Sequence, residues 1–361
     1  MGINNLNKFL RNNCPDVYEK IHISEYGFKK IAIDISLYVC KFKSICGDRW
    51  LAAFINLIAC LRKNEVHCVF IYDGGAPPEK DLERKERANQ RKKLEDKVVK
   101  LEEALEKFDS TGELDPILIE LHKKNTQDDM LQKRFLQKVE IKIDMDIVRS
   151  AVQKMRSYIL DIKPEDFQLT KQLFNILNVP YYVAPLEAET MCSDLCKRGL
   201  VDAVLSEDTD VLAYAAPNFL SKINTADGTC IRIKYQNVIE KLDLSSNSFL
   251  DLCIMCGTDY NKNIYRVGPE KAYKFIKQYT TIEDVGINAK VDISILKHIR
   301  VRELFRKYEK KEVKIPYCGI PDFQILNEFF FKNNINCSVD GLKKAFINNT
   351  LIFEENNVLA T

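Results

Sequence analysis

Four carboxylates frame one short stretch of the chain, residues 185–210, with Glu187 and Glu189 at its start and Asp208 and Asp210 at its end. Between them the residues read as a short helix followed by a short apolar strand at 203–206. Side chains two apart do not share a face of a regular helix, but at element ends both can point to one place. Two carboxylates about 4 Å apart repel by about 4 kcal/mol at an effective dielectric of roughly 20. Four that converge therefore require cations, and the chemistry they would support is that of divalent metal. Taken singly, each acid is as well explained as a helix cap or turn residue.

The elements around this stretch place further acids in the same way. Residues 29–34 form a β-rich run ending in Asp34, and 66–73 form a continuous apolar strand ending in Asp73, followed by Gly74-Gly75. Residues 35–43 and 50–62 read as helices, the second with Leu51, Phe54, Ile55, Ile58 and Leu61 at helical spacing. A further helix through Leu173, Phe174, Ile176 and Leu177 precedes a strand at 179–183. Apolar strands alternating with helices predict an α/β fold with a mixed, mostly parallel sheet flanked by helices, and functional groups collect at the carboxyl ends of such strands. Residues 220–224 and 230–235 read as a hairpin. A helix at 248–256 then leads to Gly257-Thr-Asp259-Tyr260, and Val267-Gly268-Pro269 opens a helix at 270–279 whose free backbone N–H groups suit a phosphate.

Between these parts, residues 79–158 turn to long charged helix. Leu94, Val98, Leu101, Leu105 and Phe108 make a seam that wants a partner helix. A break at 109–116 and a second pattern through Leu136, Val139, Ile143, Ile147 and Ala151 predict an antiparallel helical hairpin. At its root Lys80, Arg84, Arg87 and Arg91 recur at 4-3-4 and form a basic stripe on one helix face; the alternative is a solvated surface with pairs such as Glu83–Arg87.

Composition narrows the classes. A chain of 361 residues exceeds what one hydrophobic core usually organises, and 46% hydrophobic residues exclude whole-chain disorder. No run of apolar residues reads as a membrane span or signal peptide, so a soluble intracellular protein is expected. The 12 cysteines then read as reduced thiols, and the lone Cys253-x-x-Cys256 lacks the second pair or histidines of a zinc site. A net charge of +2 does not advertise a nucleic-acid binder, although segregated charge stays open.

The ordered motifs MGI-x-x-L, AID34-x-S, the strand into Asp73-Gly, A-P-x-E187-A-E189, S-E-D208-T-D210 and G-T-D259-Y followed by V-G-P-E-K-A resemble the XPG/flap endonuclease family of structure-specific 5′ nucleases. The resemblance covers most of residues 1–285. It implies a PIN-like 5′-nuclease fold with a helical arch and a helix–two-turn–helix that grips duplex DNA. On that basis residues 1–78 and 161–245 would form the nuclease core, 79–160 the arch, 246–320 the helix–two-turn–helix region and 321–361 a C-terminal helical segment. It further implies that Asp34, Asp73, Glu187, Glu189, Asp208, Asp210 and Asp259 bind two Mg²⁺ ions, with Mn²⁺ as a substitute. Glu189 would lie between the ions, Asp34 and Asp73 toward one, and Asp208 and Asp210 toward the other. Lys80 and Arg87 match the family's pair that contacts the scissile phosphate. Gly268, Lys271 and Lys274, with Arg84 and Arg91, would contact DNA, and the turn around Val267 would hold K⁺.

The chain also departs from the family. The stacking aromatic of the helix after Asp34 falls at Cys40, which leaves Tyr38 and Phe42 as substitutes. The stretch from Phe42 to Asp73 is short, so the loops of the 3′-flap pocket are expected to be missing, while the arch looks longer. Arg266 stands where relatives often carry a second glycine. Residues 324–331 resemble a sliding-clamp-binding box superficially, but Asn327 occupies its aliphatic position, so they read as a helix packing back on the core. The expectation is a monomeric, Mg²⁺-dependent 5′ nuclease acting on DNA with a 5′ flap or another single-strand/duplex junction, in replication, repair or recombination. The alternatives are a 5′→3′ exonuclease, an RNA-preferring nuclease, or a non-catalytic junction-binding protein.

Overall fold

The buried strands decide the architecture. In this computed structural model, which describes residues 2–130, 143–159 and 161–346, the sheet contains β1 (Glu19–His22), β2 (Lys30–Asp34), β3 (His67–Tyr72), β4 (Tyr181–Val183), β5 (Ala203–Leu205), β6 (Asn218–Ser221) and β7 (Thr229–Lys234). Their order is β1-β7-β6-β5-β2-β3-β4. From β4 to β6 neighbouring strands run parallel, and β7 is antiparallel to both β6 and β1. Every residue of β3 and all but the first of β2 are buried, as expected of central strands covered on both faces. The register sets Asp34 opposite Ile71, so β2 and β3 deliver their terminal acids to the same end of the sheet.

The mixed, mostly parallel sheet thus agrees with the expectation, and the strand ends fall within two residues of it except at β6, which ends three residues before the expected 224. Strand β1 was not foreseen. Its four residues, Glu-Lys-Ile-His, include one apolar side chain and so carry no strand pattern, and it is held at the edge through Arg232, which donates from Nε to Glu19 at 2.8 Å. The helical stretch Ile35–Lys63 also departs from expectation, because by length and composition it is apolar enough to cross a membrane. A 3₁₀ turn at Gly47–Arg49 interrupts it, and Phe54, Leu57, Ile58 and Leu61 are fully buried, so it behaves as core.

The described chain divides into two compact units, one of Met1–Phe42, Asp48–Asp81 and Lys163–Thr361, the other of Lys43–Gly47 and Leu82–Ile162. In the second, the helices Asp81–Thr111, Pro116–Met130 and Met145–Ser157 enclose Leu101, Leu105, Leu118, Leu121, Val148 and Val152. Arg149 donates to Asp109 at 3.0 Å, tying the first helix to the third. The helix Pro116–Met130 replaces part of the expected break: Pro116 suits the first helical position, and the Asp115 carboxylate accepts from Ile117 N at 2.9 Å. Leu136 and Val139 of the expected second helix lie outside the described residues.

In the first unit, residues 307–322 have no regular structure but run along β4 as a strap. Lys311 Nζ donates to Val183 O at 2.8 Å, Tyr182 Oη to Lys314 O at 2.8 Å, and Gly319 N to Asn178 O at 2.8 Å. The helix Phe323–Lys332 follows, with Leu326, Phe329 and Phe330 buried and Phe331 89% exposed. Three more helices, Ser246–Cys256, Ile282–Asn288 and His298–Arg306, are joined by one ionic network. Arg302 donates to both oxygens of the buried Asp251 at 2.6 Å and to Glu283 at 2.6 and 2.8 Å. Arg302→Ala strips the partner from a buried carboxylate, so it should cost about 3 kcal/mol in urea unfolding. A loss near zero would show that the network contributes nothing net.

Candidate active site

Each acid reaches the site by a different local device. Asp34 closes β2, where its Oδ1 accepts from Ser36 N at 2.8 Å as the chain turns into the helix Ile35–Cys46. Ser36 Oγ also donates to Asp73 Oδ2, so one serine holds the acids of adjacent strands. Asp73 Oδ1 in turn accepts from Ala188 N at 2.8 Å, which fixes the start of the helix Ala188–Lys197 to the end of β3. That helix begins with Glu187 at its N-cap and Glu189 in its first turn. Beyond β5, Ser206 Oγ accepts from Asp208 N, and Asp208 Oδ1 accepts from Asp210 N, both at 3.0 Å. Asp259 sits in a tight turn where Thr258 and Asn261 exchange backbone hydrogen bonds.

Burial and neighbouring charge raise the proton affinity of four of these acids, Asp34, Glu189, Asp208 and Asp210. Burial pushes the Asp34 carboxyl up to about 8, with the charge of Asp73 adding to it. Burial, then Asp208 and Asp210, hold Glu189 well above the usual carboxylate range. Asp210 is raised by burial, Asp208 and Asp259, and its Oδ1 is buried with no hydrogen-bond partner among the described residues. Lys80 enters this cluster from the 3₁₀ turn Pro78–Lys80: its Nζ pairs with Glu187 and lies 3.1 Å from Asp259. Burial alone would lower its pKa, but Glu189, Glu187 and Asp259 outweigh it and hold the ammonium charged.

Three further residues take part. Tyr260 Oη donates to Glu187 and is 2.8 Å from Tyr214 Oη, so a buried tyrosine pair orients that carboxylate. Gly2 faces the acids directly, since a Cβ there would lie 1.9 Å from Asp208 Oδ1 and 2.9 Å from Asp210 N. Gly74 lets the end of β3 pass close to Ala184, whose carbonyl a Cβ would meet at 2.0 Å. Gly2, Ser36 and Tyr260 all lie inside motifs visible in the sequence, but their roles depend on contacts that spacing does not reveal.

The sequence expectations for other residues fare differently. Tyr38 is fully buried, and Phe42 packs edge-on against Phe54 with ring centroids 4.8 Å apart. Neither ring offers a face for stacking, which corrects that expectation: both belong to the core beneath Asp34. The basic stripe is also broken, because Lys80 precedes the helix Asp81–Thr111 that carries the other three. On that helix Arg87 pairs with Glu83, and Arg91 Nε donates to Glu95 at 2.9 Å. Arg84 is exposed there. Gly268 caps the helix Pro269–Tyr279, on which Lys271 and Lys274 are exposed. In the turn before it, Asn263 Nδ2 donates to the carbonyl of Val267, one of the groups around which K⁺ was expected.

The donor set suits a hard divalent ion, which takes carboxylate oxygens. No three acidic, histidine or cysteine side chains among the described residues are drawn together at metal-ligand spacing. The fit rests instead on crowding: buried carboxyls forced above their normal range and an unpartnered Asp210 oxygen are what added positive charge would relieve.

Comparison with known proteins gives the class. The family model of the XPG N-terminal domain matches residues 1–94, and that of the XPG I-region matches 178–259. A probable RAD2-like endonuclease of Invertebrate iridescent virus 6 is 35% identical over 96% of this chain and 92% of its own length. Flap endonuclease 1-A of Sorghum bicolor is 27% identical over 92% of this chain and 83% of its own. Among solved structures, the catalytic core of Rad2 in complex with DNA substrate superimposes with a TM-score of 0.64 at 15% identity, covering 96% of this chain and 100% of that one. Flap endonuclease-1 from Methanococcus jannaschii gives 0.59 at 20% identity, covering 92% and 98%. Fold and relatives together define a phosphodiester-hydrolysing nuclease with the PIN-like 5′-nuclease fold. The chain belongs to the XPG/flap endonuclease family of structure-specific 5′ nucleases, whose members depend on divalent metal.

Crowding has a consequence for stability. A carboxyl whose folded pKa exceeds its unfolded value binds more protons when folded, so stability falls as pH rises between the two values. For Asp34 that interval runs from the ordinary carboxylate pKa of about 4 to about 8. In EDTA the protein should therefore lose stability to urea between pH 5 and pH 8, and Mg²⁺ should restore much of it at pH 8. A flat profile in EDTA would mean that neither burial nor the neighbouring acids raise the Asp34 carboxyl.

Proposed function

We propose that this chain is a Mg²⁺-dependent 5′ nuclease that cuts DNA where single strand meets duplex, leaving 5′-phosphate and 3′-hydroxyl ends. The observation that carries this reading is the set of buried acids forced above their normal pKa, Asp34, Glu189 and Asp210 among them, beside Lys80 and the Glu187 and Asp259 carboxylates it pairs with. Their pairing suits two ions, with Mn²⁺ as a substitute. Asp34 and Asp73 share Ser36, Asp208 and Asp210 share a backbone hydrogen bond, and Glu189 feels the charge of both groups. When bound, such ions would activate water and neutralise charge on the phosphate.

The chain's own residues would do the rest. Glu187, held by Tyr260 and Lys80, and Asp259 would complete the negative shell directly or through water. Lys80 serves as counter-charge to Glu187 and Asp259 and, with substrate present, would give its ammonium to the scissile phosphate. Arg87 is assigned to the same phosphate on its spacing from Asp73. Gly268, Lys271 and Lys274 would hold duplex phosphates at the start of the helix Pro269–Tyr279, with Arg84 and Arg91 adding contacts. DNA is favoured as substrate because the Rad2 core was solved with a DNA substrate and human GEN1 with Holliday junction DNA.

The reading is tested with 5′-flap, nicked-duplex, blunt-duplex and single-stranded RNA substrates, with and without Mg²⁺. Cleavage of the flap substrate only with Mg²⁺ is expected, and no cleavage of any substrate at micromolar enzyme would sink it. Asp208→Asn keeps an acceptor for Asp210 N but removes a charge. It should abolish cleavage and leave flap binding largely intact, whereas parallel loss of binding would indicate a structural role. Lys80→Ala should slow single-turnover cleavage about 10²-fold, with a smaller change in Kd; the reverse pattern would remove Lys80 from the chemical step.

A further inference from the structure

In the turn between the helices Ser246–Cys256 and Pro269–Tyr279, two asparagine side chains hydrogen-bond to backbone carbonyls. Asn261 Nδ2 donates to Ile254 O at 2.9 Å and to Lys262 O at 3.1 Å, while its Oδ1 accepts from Thr258 Oγ1 at 2.7 Å. Asn263 Nδ2 donates to Val267 O at 2.9 Å and to Ile264 O at 3.3 Å. Only the nitrogen end of an asparagine, with its two N–H groups, can face two carbonyls, because the oxygen end would repel both. Ile264 O also accepts from Val267 N at 3.0 Å, so both of its lone pairs are engaged.

Neighbouring residues hold this arrangement in place. Gly257 has φ 92°, and a Cβ there would lie 3.1 Å from Asn263 N, so the turn closes tightly onto the asparagine. Arg266 adopts a left-handed φ of 59°. A non-glycine residue in that conformation costs on the order of 1 kcal/mol, which the surrounding bonds must offset.

We propose that the Asn263 amide cross-links the carbonyls of Ile264 and Val267 in place of a monovalent cation. The turn then keeps its shape, and the following helix its grip on DNA, whether or not K⁺ is present. A bound ion would need those oxygens free, and one nitrogen within 3.3 Å of both already stands between them. This corrects the K⁺ site implied by the family resemblance. The consequence for DNA rests on the duplex-binding role proposed above, whereas the consequence for folding does not.

The test uses the full chain carrying Asp208→Asn, in EDTA, with fluorescence anisotropy on 5′-flap DNA in KCl or choline chloride of equal ionic strength. Equal ionic strength holds the counterion effect constant, so affinities should agree within about twofold. Melting temperatures in the two salts should also agree. Asn263→Asp turns both donors into acceptors facing carbonyls, so it should bind and melt normally only in KCl; if it fails to fold, Asn263→Gly, which leaves the carbonyls open, should show the same gain of K⁺ dependence. A K⁺-dependent rise in affinity or melting temperature with Asn263 intact would overturn the proposal, as would Asn263 variants indifferent to K⁺. If no DNA is bound in either salt, the nuclease reading fails, and the melting comparison alone decides for or against the cross-link.

Discussion

Mutual repulsion among carboxylates is the constraint on which the rest of this structure depends. Each acid in isolation could be stabilised by a local hydrogen bond, but burial and the charges of neighbouring carboxylates together raise the proton affinity of Asp34, Glu189, Asp208 and Asp210. The fold resists their separation by anchoring them to elements that cannot drift. The ends of adjacent parallel strands, the first turn of a helix and a bridged turn are each fixed by the core behind them. What would be a defect in a structural protein is here a store of unfavourable electrostatic energy of the kind that added positive charge would release. Gly2 shows how little room is left, since even a methyl group there would displace Asp208.

The site was legible in the sequence to the extent that chemistry coincides with punctuation. Asp34 and Asp73 stand out because each ends an apolar run, and a parallel sheet gathers strand ends at one edge. Glu187 and Asp208 depend on turns whose geometry no periodicity encodes, and there the ordered motifs of the family supplied the missing information. Tyr38 and Phe42 misled because an aromatic at helical spacing looks the same whether it packs or waits for a ligand. Tyr260 had the opposite problem, since its value lies in one hydrogen bond to a residue far away in the chain.

The same distinction explains the fold. Long apolar strands and helices with a clear buried face were read within about three residues of their ends. What escaped was short or masked by local signals: β1, whose pairing with β7 supplies the order its four residues lack, and the helix Pro116–Met130, whose opening proline looked like an ending. Proline interrupts a helix interior but fits its first position, so the residue alone does not distinguish the two. Arg302 belongs with these cases, because a helix surface rich in basic residues gives no hint which of them turns inward.

The strap along β4 solves a problem that the sheet itself creates. A parallel sheet with an uncovered margin offers unpaired amides and carbonyls to any passing strand, a route to intermolecular β-pairing. Residues 307–322 occupy that margin using side chains and a few backbone bonds rather than a full ladder. Their lysines, with Pro316 and Pro321, make them poor strand formers. The cover therefore does not become a new template in its turn, and the growth of the sheet stops at β4.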